Sequence, residues 1–297
     1  MNQSQLRLHV LGSSCHLLIA APEHADDILE SARSELARLD IKFSTSSPDS
    51  VVASLNRNAG NGQFTPLDPE ARSLFDYIST LWSQSNHLFD PTTHFLQASY
   101  SDSGKLMATD SQLKELLQLV GWSKIELGEE GASLTHSGMQ IDLNSCIRPY
   151  ALDCVRRIFL KAGVEHALIA MDKDSVTIGK QTDGANWLVG TKIPSKGNTA
   201  IARLKLNHKG FAIRGDFERP VLINEERFGR GLSPVDAYPV PGLLSVAVIA
   251  DDCLTACSAA SIARLKTERA ALKWLDTLGF SWLAIDRELN CHGPLSL

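Results

Sequence analysis

The chain has 297 residues, with 29 lysines and arginines against 34 aspartates and glutamates, giving a formal net charge of −5. Its 43% hydrophobic and 21% charged content is that of an ordinary globular protein and excludes intrinsic disorder. The acidic balance argues against nucleic acid as the main partner, because phosphate-backbone binding needs a basic face. The longest run of apolar or small residues, 243–250 (LLSVAVIA), is far short of the ~20 residues of a spanning helix, so no membrane insertion is expected.

The first residues lack the unbroken apolar stretch of a signal peptide, since Arg7, His9, Gly12, Ser13, Ser14 and His16 interrupt it. Six cysteines show no C-x-x-C and no zinc-finger spacing, so reduced thiols and a cytoplasmic location are expected.

In chain order, apolar segments at 6–12 and 15–20 around Gly12-Ser13-Ser14 predict a β-hairpin. Ile28, Leu29, Ala32, Leu36 and Leu39 fall on one helical face, with Asp26, Asp27 and Glu30 near its positive N-terminal end. A polar loop at 44–50 leads to a short helix at 51–58. Asp68-Pro69-Glu70 combines an N-cap with proline at the first helical position and opens a helix through residue 82. Another helix is expected over 111–120, ended by Gly121. Strands are expected at 124–127, 139–143, 166–171, 175–178, 187–193 and 202–206, with a helix at 149–162 among them. A buried strand at 245–250, helices at 254–265 and 267–278, and a last strand at 282–285 close the chain. Helices, then a β-rich centre, then helices without a Pro/Gly/Ser linker predict one α+β unit.

No serine elbow, phosphate-binding glycine loop or dinucleotide fingerprint is present. Instead, short motifs follow one another along nearly the whole chain. They are Leu11-Gly12-Ser13; Phe43-Ser44 with Pro48, Ser50 and Asn56; Phe89-Asp90-Pro91-Thr92; 142–153 (DLNSCIRPYALD); Asp172-Lys173-Asp174; Trp187; Ile213-Arg214-Gly215-Asp216; 230–239 (RGLSPVDAYP); and Thr255-Ala256-Cys257 with Ser261. In order and spacing the series resembles the FAD:protein FMN transferase (ApbE-like) family. The resemblance implies a single α+β domain over 1–297, with N-terminal helices, mixed or antiparallel sheets and a C-terminal helical segment. It also implies FAD as substrate, magnesium, and an acceptor flavoprotein whose Thr or Ser receives FMN. Carried onto this sequence, the cofactor-binding positions are Gly12, Ser13, Ser50, Asn56, Phe89, Asp90, Thr92, Arg148, Tyr150, Asp153, Asp174, Gly215 and Arg230. The metal positions are Cys146, Cys257 and Ser261.

The departures from the family pattern concentrate where the chemistry is. The late Asp and Thr that bind magnesium in the family are here Cys257 and Ser261, and a thiol is a poor partner for an ion that wants hard oxygen ligands. Paired glycines become Asn144-Ser145 and Asp172-Lys173. The family's Lys-Gly is Arg148-Pro149, its His and Asp are Arg230 and Ser233, and an aromatic ring becomes Ser46. Phosphoryl transfer is mostly positioning and charge neutralisation. A weak or inactive transferase with residual flavin-nucleotide binding is therefore expected. Two alternatives stand beside it: a divergent active enzyme recruiting Asp236, Asp251 or Asp252 to the metal, and a scaffold without nucleotide. Arginines 148, 214 and 230 either fill the cleft or grip a pyrophosphate, and their direction decides.

Local readings accompany these. Cys146 and Cys257 are read as small buried residues, against a soft-metal or redox pair that lacks a third ligand. His87 and His94 are read as solvated or backbone-bonded rather than as metal ligands. Asp153 is expected to bond backbone amides. Lys196, Arg203, Lys205 and Lys209 are read as the solvated face of a strand pair.

Overall fold

The computed structural model describes residues 3–20, 23–101, 104–195 and 198–295; Lys196 of the basic segment lies outside them. Strands β1 (Gln3–Val10) and β2 (Ser13–Ala20) form the expected hairpin. Its two-residue turn, Leu11-Gly12, has positive φ at both positions (53° and 67°), the backbone twist that tight hairpins prefer.

Helix α1 (Ala25–Phe43) buries Leu29, Ala32, Leu36, Leu39 and Phe43 at three- and four-residue spacing. Helix α2 (Val51–Arg57) is capped by Ser50, and α3 (Pro69–Gln84) by Asp68 with Pro69 in its first turn. Residues Pro91–Ser99 form a 3-10 helix whose N-cap is Asp90. Helix α4 (Asp110–Leu117) starts in a Thr109/Gln112 capping box and ends before the expected Val120.

Strands β3 (Ile125–Gly128) and β4 (Gly131–Leu134) pair with each other. The strand expected at 139–143 does not form. Met139, Ile141 and Leu143 are buried in alternation, which gave the strand signal. The backbone of Ile141 is instead bonded by a side chain: its N–H donates to Asn56 Oδ1 (2.8 Å) and its carbonyl accepts from Asn56 Nδ2 (3.1 Å).

Helix α5 (Asn144–Lys161) begins five residues ahead of the expected start at Pro149, which lies inside it. There follow β5 (His166–Met171), β6 (Asp174–Ile178), the long ribbon β7 (Trp187–Ser195) and β8 (Asn198–Leu206), β9 (Gly210–Gly215), and a small hairpin of β10 (Val221–Ile223) and β11 (Glu226–Phe228). The chain then runs through β12 (Ser245–Ala250), α6 (Cys253–Arg264), α7 (Glu268–Thr277), β13 (Ser281–Ile285) and β14 (Cys291–His292).

Eight strands make one antiparallel sheet in the order β1-β2-β5-β6-β9-β12-β13-β14. Strand side chains alternate between its faces. Leu17, Ile19, Ala167 and Ile169 pack with α1 and α5, and Ala212, Val246 and Val248 pack with α6 and α7. Phe211, Ala247 and Leu283 point the other way, against Trp187, Val189, Leu204 and Leu206 of the ribbon. Among the described residues no helix is long and apolar enough to cross a membrane.

Candidate functional site

The site begins with a proline. Pro149 has no N–H to give the Ser145 carbonyl four residues back, so that carbonyl is left open in the first turn of α5. Cys257, on α6, supplies a partner: its thiol donates to the Ser145 oxygen at 3.1 Å. Ser261, one helical turn further along α6, places its hydroxyl 3.9 Å from the same sulfur. Of the three predicted metal positions, Cys257 and Ser261 thus lie together against the Ser145 carbonyl, while Cys146 is buried and lines neither half of the cleft described below.

A cation from the sheet sits among them. Ala212 and Arg214 share the helix-facing side of β9. The guanidinium of Arg214 grips Asp174 through both oxygens, at 2.6 and 2.8 Å, and donates to Cys257 Sγ at 2.6 Å. Asp174 is 6% exposed and Arg214 21%. Burial opposes the charge on Arg214, but its pairing outweighs burial and holds the guanidinium protonated. Burial pushes the Cys257 thiol up to about 11, with Arg214 pulling against it, and raises Cys146 further. Both thiols are neutral near pH 7.

These donors do not fit a magnesium ion. A protonated sulfur stands where an anionic oxygen is needed, and a guanidinium lies against that sulfur. The soft-metal alternative for Cys146 and Cys257 fares no better: the potential metal-holding clusters among the described residues are Glu35/Glu70/Cys154 and Glu268/Asp286/His292, and neither contains these thiols. Asp236, Asp251 and Asp252 also stand away. Asp252 caps α6, Asp251 is exposed and pairs with Lys209, and Asp236 accepts from the Tyr238 amide beside another cavity.

Around this cluster lies a cleft with two connected halves, of about 410 and 480 Å³, sharing Asn144, Ser145, Arg148 and Arg214. Both are of small-molecule size. Phe89, Asp90, Ser261 and Arg264 line the first half, and Asp172, Lys173 and Asp174 the second. Arg148 bridges the halves; its Nε donates to the Leu11 carbonyl (3.0 Å) and its Nη1 lies 3.8 Å from Asp172. Ser13 donates to Asp172 at 2.5 Å. Gly12 is favoured here by its φ of 67°, while a Cβ would reach only ordinary contact, 3.4 Å, with the Arg148 guanidinium.

The other predicted positions are engaged in holding the walls. Asp90 accepts from the Thr92 amide and hydroxyl (2.9 and 2.6 Å) and from the Trp122 amide (2.7 Å), and Thr92 accepts from Gly121. Asn56 is committed to Ile141, and Ser50 to the α2 N-terminus. Tyr150 donates to Glu70 at 2.9 Å. Asp153 accepts from the Cys253 and Leu254 amides, both at 2.9 Å, fixing α6 to α5; burial raises its carboxyl to about 6 against those two bonds. None of Ser50, Asn56, Tyr150 and Asp153 lines the cleft. Arg230 corrects an expectation as well. Its Nε donates to the Arg219 carbonyl, and it lines not the cleft itself but an adjoining cavity of about 170 Å³ that shares Gln97 and Leu232 with the first half. His87 stacks on Trp82 (ring centroids 3.8 Å apart), and His94 is exposed, 3.6 Å from Asp142.

The sequence reading missed Arg264. It follows Cys257 and Ser261 at four- and three-residue spacing, so the same face of α6 carries all three, which is the signal that was available. Gly215 and Gly229 keep its path open: a Cβ at either would come within 2.6 and 2.5 Å of the Arg264 guanidinium.

An antiparallel sheet backed by α5 and α6, with a polar cleft where the N-terminal turn of α5 and the C-terminal end of α6 meet β9, has the architecture of the flavin transferase ApbE structures. Residues 11–282 match the model of the ApbE family, and the chain belongs to that family. A FAD:protein FMN transferase of Klebsiella pneumoniae is 31% identical over 123 residues, 41% of this chain and 37% of that protein. The match therefore spans just over a third of that relative's length. The ApbE protein of Thermotoga maritima superposes with a TM-score of 0.84 at 23% identity, covering 98% of this chain and 97% of its own. The flavin transferase ApbE of Vibrio cholerae gives 0.86 at 16% identity, covering 98% and 96%. At these identities the two structures establish the α+β fold.

Proposed function

We propose that this chain is a flavin-nucleotide-binding member of the ApbE family whose transfer of FMN to a protein hydroxyl is weak or lost. Family membership and the Klebsiella relative supply the ligand class, FAD, and the partner class, an acceptor flavoprotein. The observation that carries the loss is the Arg214 guanidinium held between Asp174 and Cys257. Transfer of a phosphoryl group needs positive charge placed on the reacting oxygens, which in a metal-dependent site the ion supplies. The Arg214 guanidinium already spends its donors on Asp174, Ile213 and Cys257, and it stands beside the thiol that replaces a hard oxygen ligand.

The retained parts support binding. The cleft is open on both sides of Arg148, its lining keeps Phe89, and Asp90 and Asp142 hold their loops through backbone bonds. The test is incubation with FAD, MgCl2 and an acceptor flavoprotein, read by intact mass. The expected result is no FMN adduct while FAD raises the melting temperature. Stoichiometric FMN attachment would contradict the loss, and the absence of any FAD-induced shift would contradict the binding.

A further inference from the structure

The cleft holds one cation that none of its own carboxylates pairs. Four carboxylates line it, and each is already engaged: Asp90 by Thr92 and Trp122, Asp142 by Asn144, Asp172 by Ser13, and Asp174 by Arg214. Of the three arginines, Arg214 has Asp174, and Arg148 has the Leu11 carbonyl with Asp172 at longer range. Arg264 has neither. Its Nε is buried without a hydrogen-bond partner, and the carboxylate that attracts it from nearby, Asp216, is paired with Lys173 instead. Burial and the neighbouring Arg214 charge lower its pKa to about 10, so it is still a cation at neutral pH.

A guanidinium held in this way, next to a second one and facing an open cavity, is costly unless an anion completes it. Arginine's planar fork matches phosphate oxygens, and two or three arginines around one cavity suit a diphosphate better than a single charge. Each carboxylate of the cleft already accepts hydrogen bonds from the protein, so none is presented bare to a divalent cation.

We propose that Arg264, flanked by Arg214 and Arg148, is a diphosphate-binding residue, and that the cleft takes a nucleoside diphosphate or dinucleotide without a divalent cation. Arg214 supplies the fixed positive charge and Arg264 the open donors. This rests on the reading of the cleft as a nucleotide site, but it does not require that the nucleotide be a flavin.

The experiment titrates the full chain calorimetrically with ADP, inorganic pyrophosphate, FAD and adenosine, each in excess EDTA and again in millimolar MgCl2. ADP and FAD are expected to bind equally well in both buffers, with adenosine much weaker. The variant Arg264→Gln is expected to weaken ADP by about tenfold or more, as loss of a charge-assisted bond predicts, and to leave adenosine unchanged. Arg264→Lys, which keeps the charge in a smaller head group, is expected to restore part of the affinity, and separates loss of a phosphate contact from loss of fold. ADP binding in EDTA without FAD binding would uphold this inference and overturn the flavin reading. FAD binding only with MgCl2 would do the reverse. No binding of any phosphate ligand, or equal ADP affinity in native protein and a folded Arg264→Gln, would overturn the diphosphate site.

Discussion

Rebuilding the metal seat tests the reading of Arg214 in stages. Replacing Arg214 with serine strips Asp174 of both its bonds while leaving it buried. Breaking a buried pair in this way costs ~3–5 kcal/mol, because the remaining charge is uncompensated. Adding Cys257→Asp places a second carboxylate beside the first, so the double variant is expected to be less stable still in EDTA. That arrangement, with the Ser145 carbonyl and Ser261 hydroxyl alongside, is a set of hard oxygens. Magnesium at one hundred times its dissociation constant would return about 2.7 kcal/mol. At roughly 2–4 °C per kcal/mol, this is a rise of about 5–10 °C in melting temperature. Differential scanning fluorimetry across a MgCl2 series reads it directly. The native chain and Cys257→Asp alone are expected to show no such rise, because the Arg214 guanidinium, 2.6 Å from the position 257 sulfur, would bond the new carboxylate first. A magnesium response of the single Cys257→Asp variant equal to that of the double would refute the claim that Arg214 excludes the ion.

Two further outcomes concern the scaffold. Glu70 is held at a pKa of about 2, chiefly by its bonds from Arg38, with Lys42 and Tyr150 adding to them. A lowered folded-state carboxyl stabilises fully above its ordinary pKa near 4.5 and loses that stabilisation as pH falls toward 2; Glu70→Gln should therefore flatten the acid limb of a stability–pH curve by roughly 1–2 kcal/mol, and an unchanged limb would refute the assignment. Asp153→Ala removes both bonds to the first turn of α6 and should cost ~2 kcal/mol in urea unfolding, whereas a change within error would mean α6 is positioned by packing alone.

The sequence made much of the fold readable because local rules and tertiary structure agree there. Asp68-Pro69 starts α3, the one-sided apolar spacing defines α1, and two apolar runs mark the first hairpin, although its turn is Leu11-Gly12 and Ser13 and Ser14 already belong to β2. It misled where side chains replaced backbone partners. Residues 139–143 alternate like a strand but are bonded by Asn56, and Pro149 reads as a helix start although it sits inside α5, where the carbonyl it leaves open is taken by Cys257. The candidate site was legible in part as a set of positions: Cys257 and Ser261 do meet, with the Ser145 carbonyl in place of Cys146, and Arg148, Arg214 and Asp174 border one cleft. It was not legible as an arrangement. Whether Arg230 or Arg264 faces the cleft depends on the path of the 216–244 segment and on two glycines that clear space for one guanidinium, and neither has a sequence period. Asp153 was visible as a carboxylate in a motif, but its two backbone bonds to a helix one hundred residues away depend on tertiary packing.

The most direct test of the account titrates MgCl2 into the FAD-saturated native chain by calorimetry, corrected for magnesium binding to free FAD. With Arg214 and Arg264 carrying the positive charge of the cleft, no saturable heat of ion binding is predicted. One magnesium ion taken up per chain, accompanied by tighter FAD binding, would contradict it.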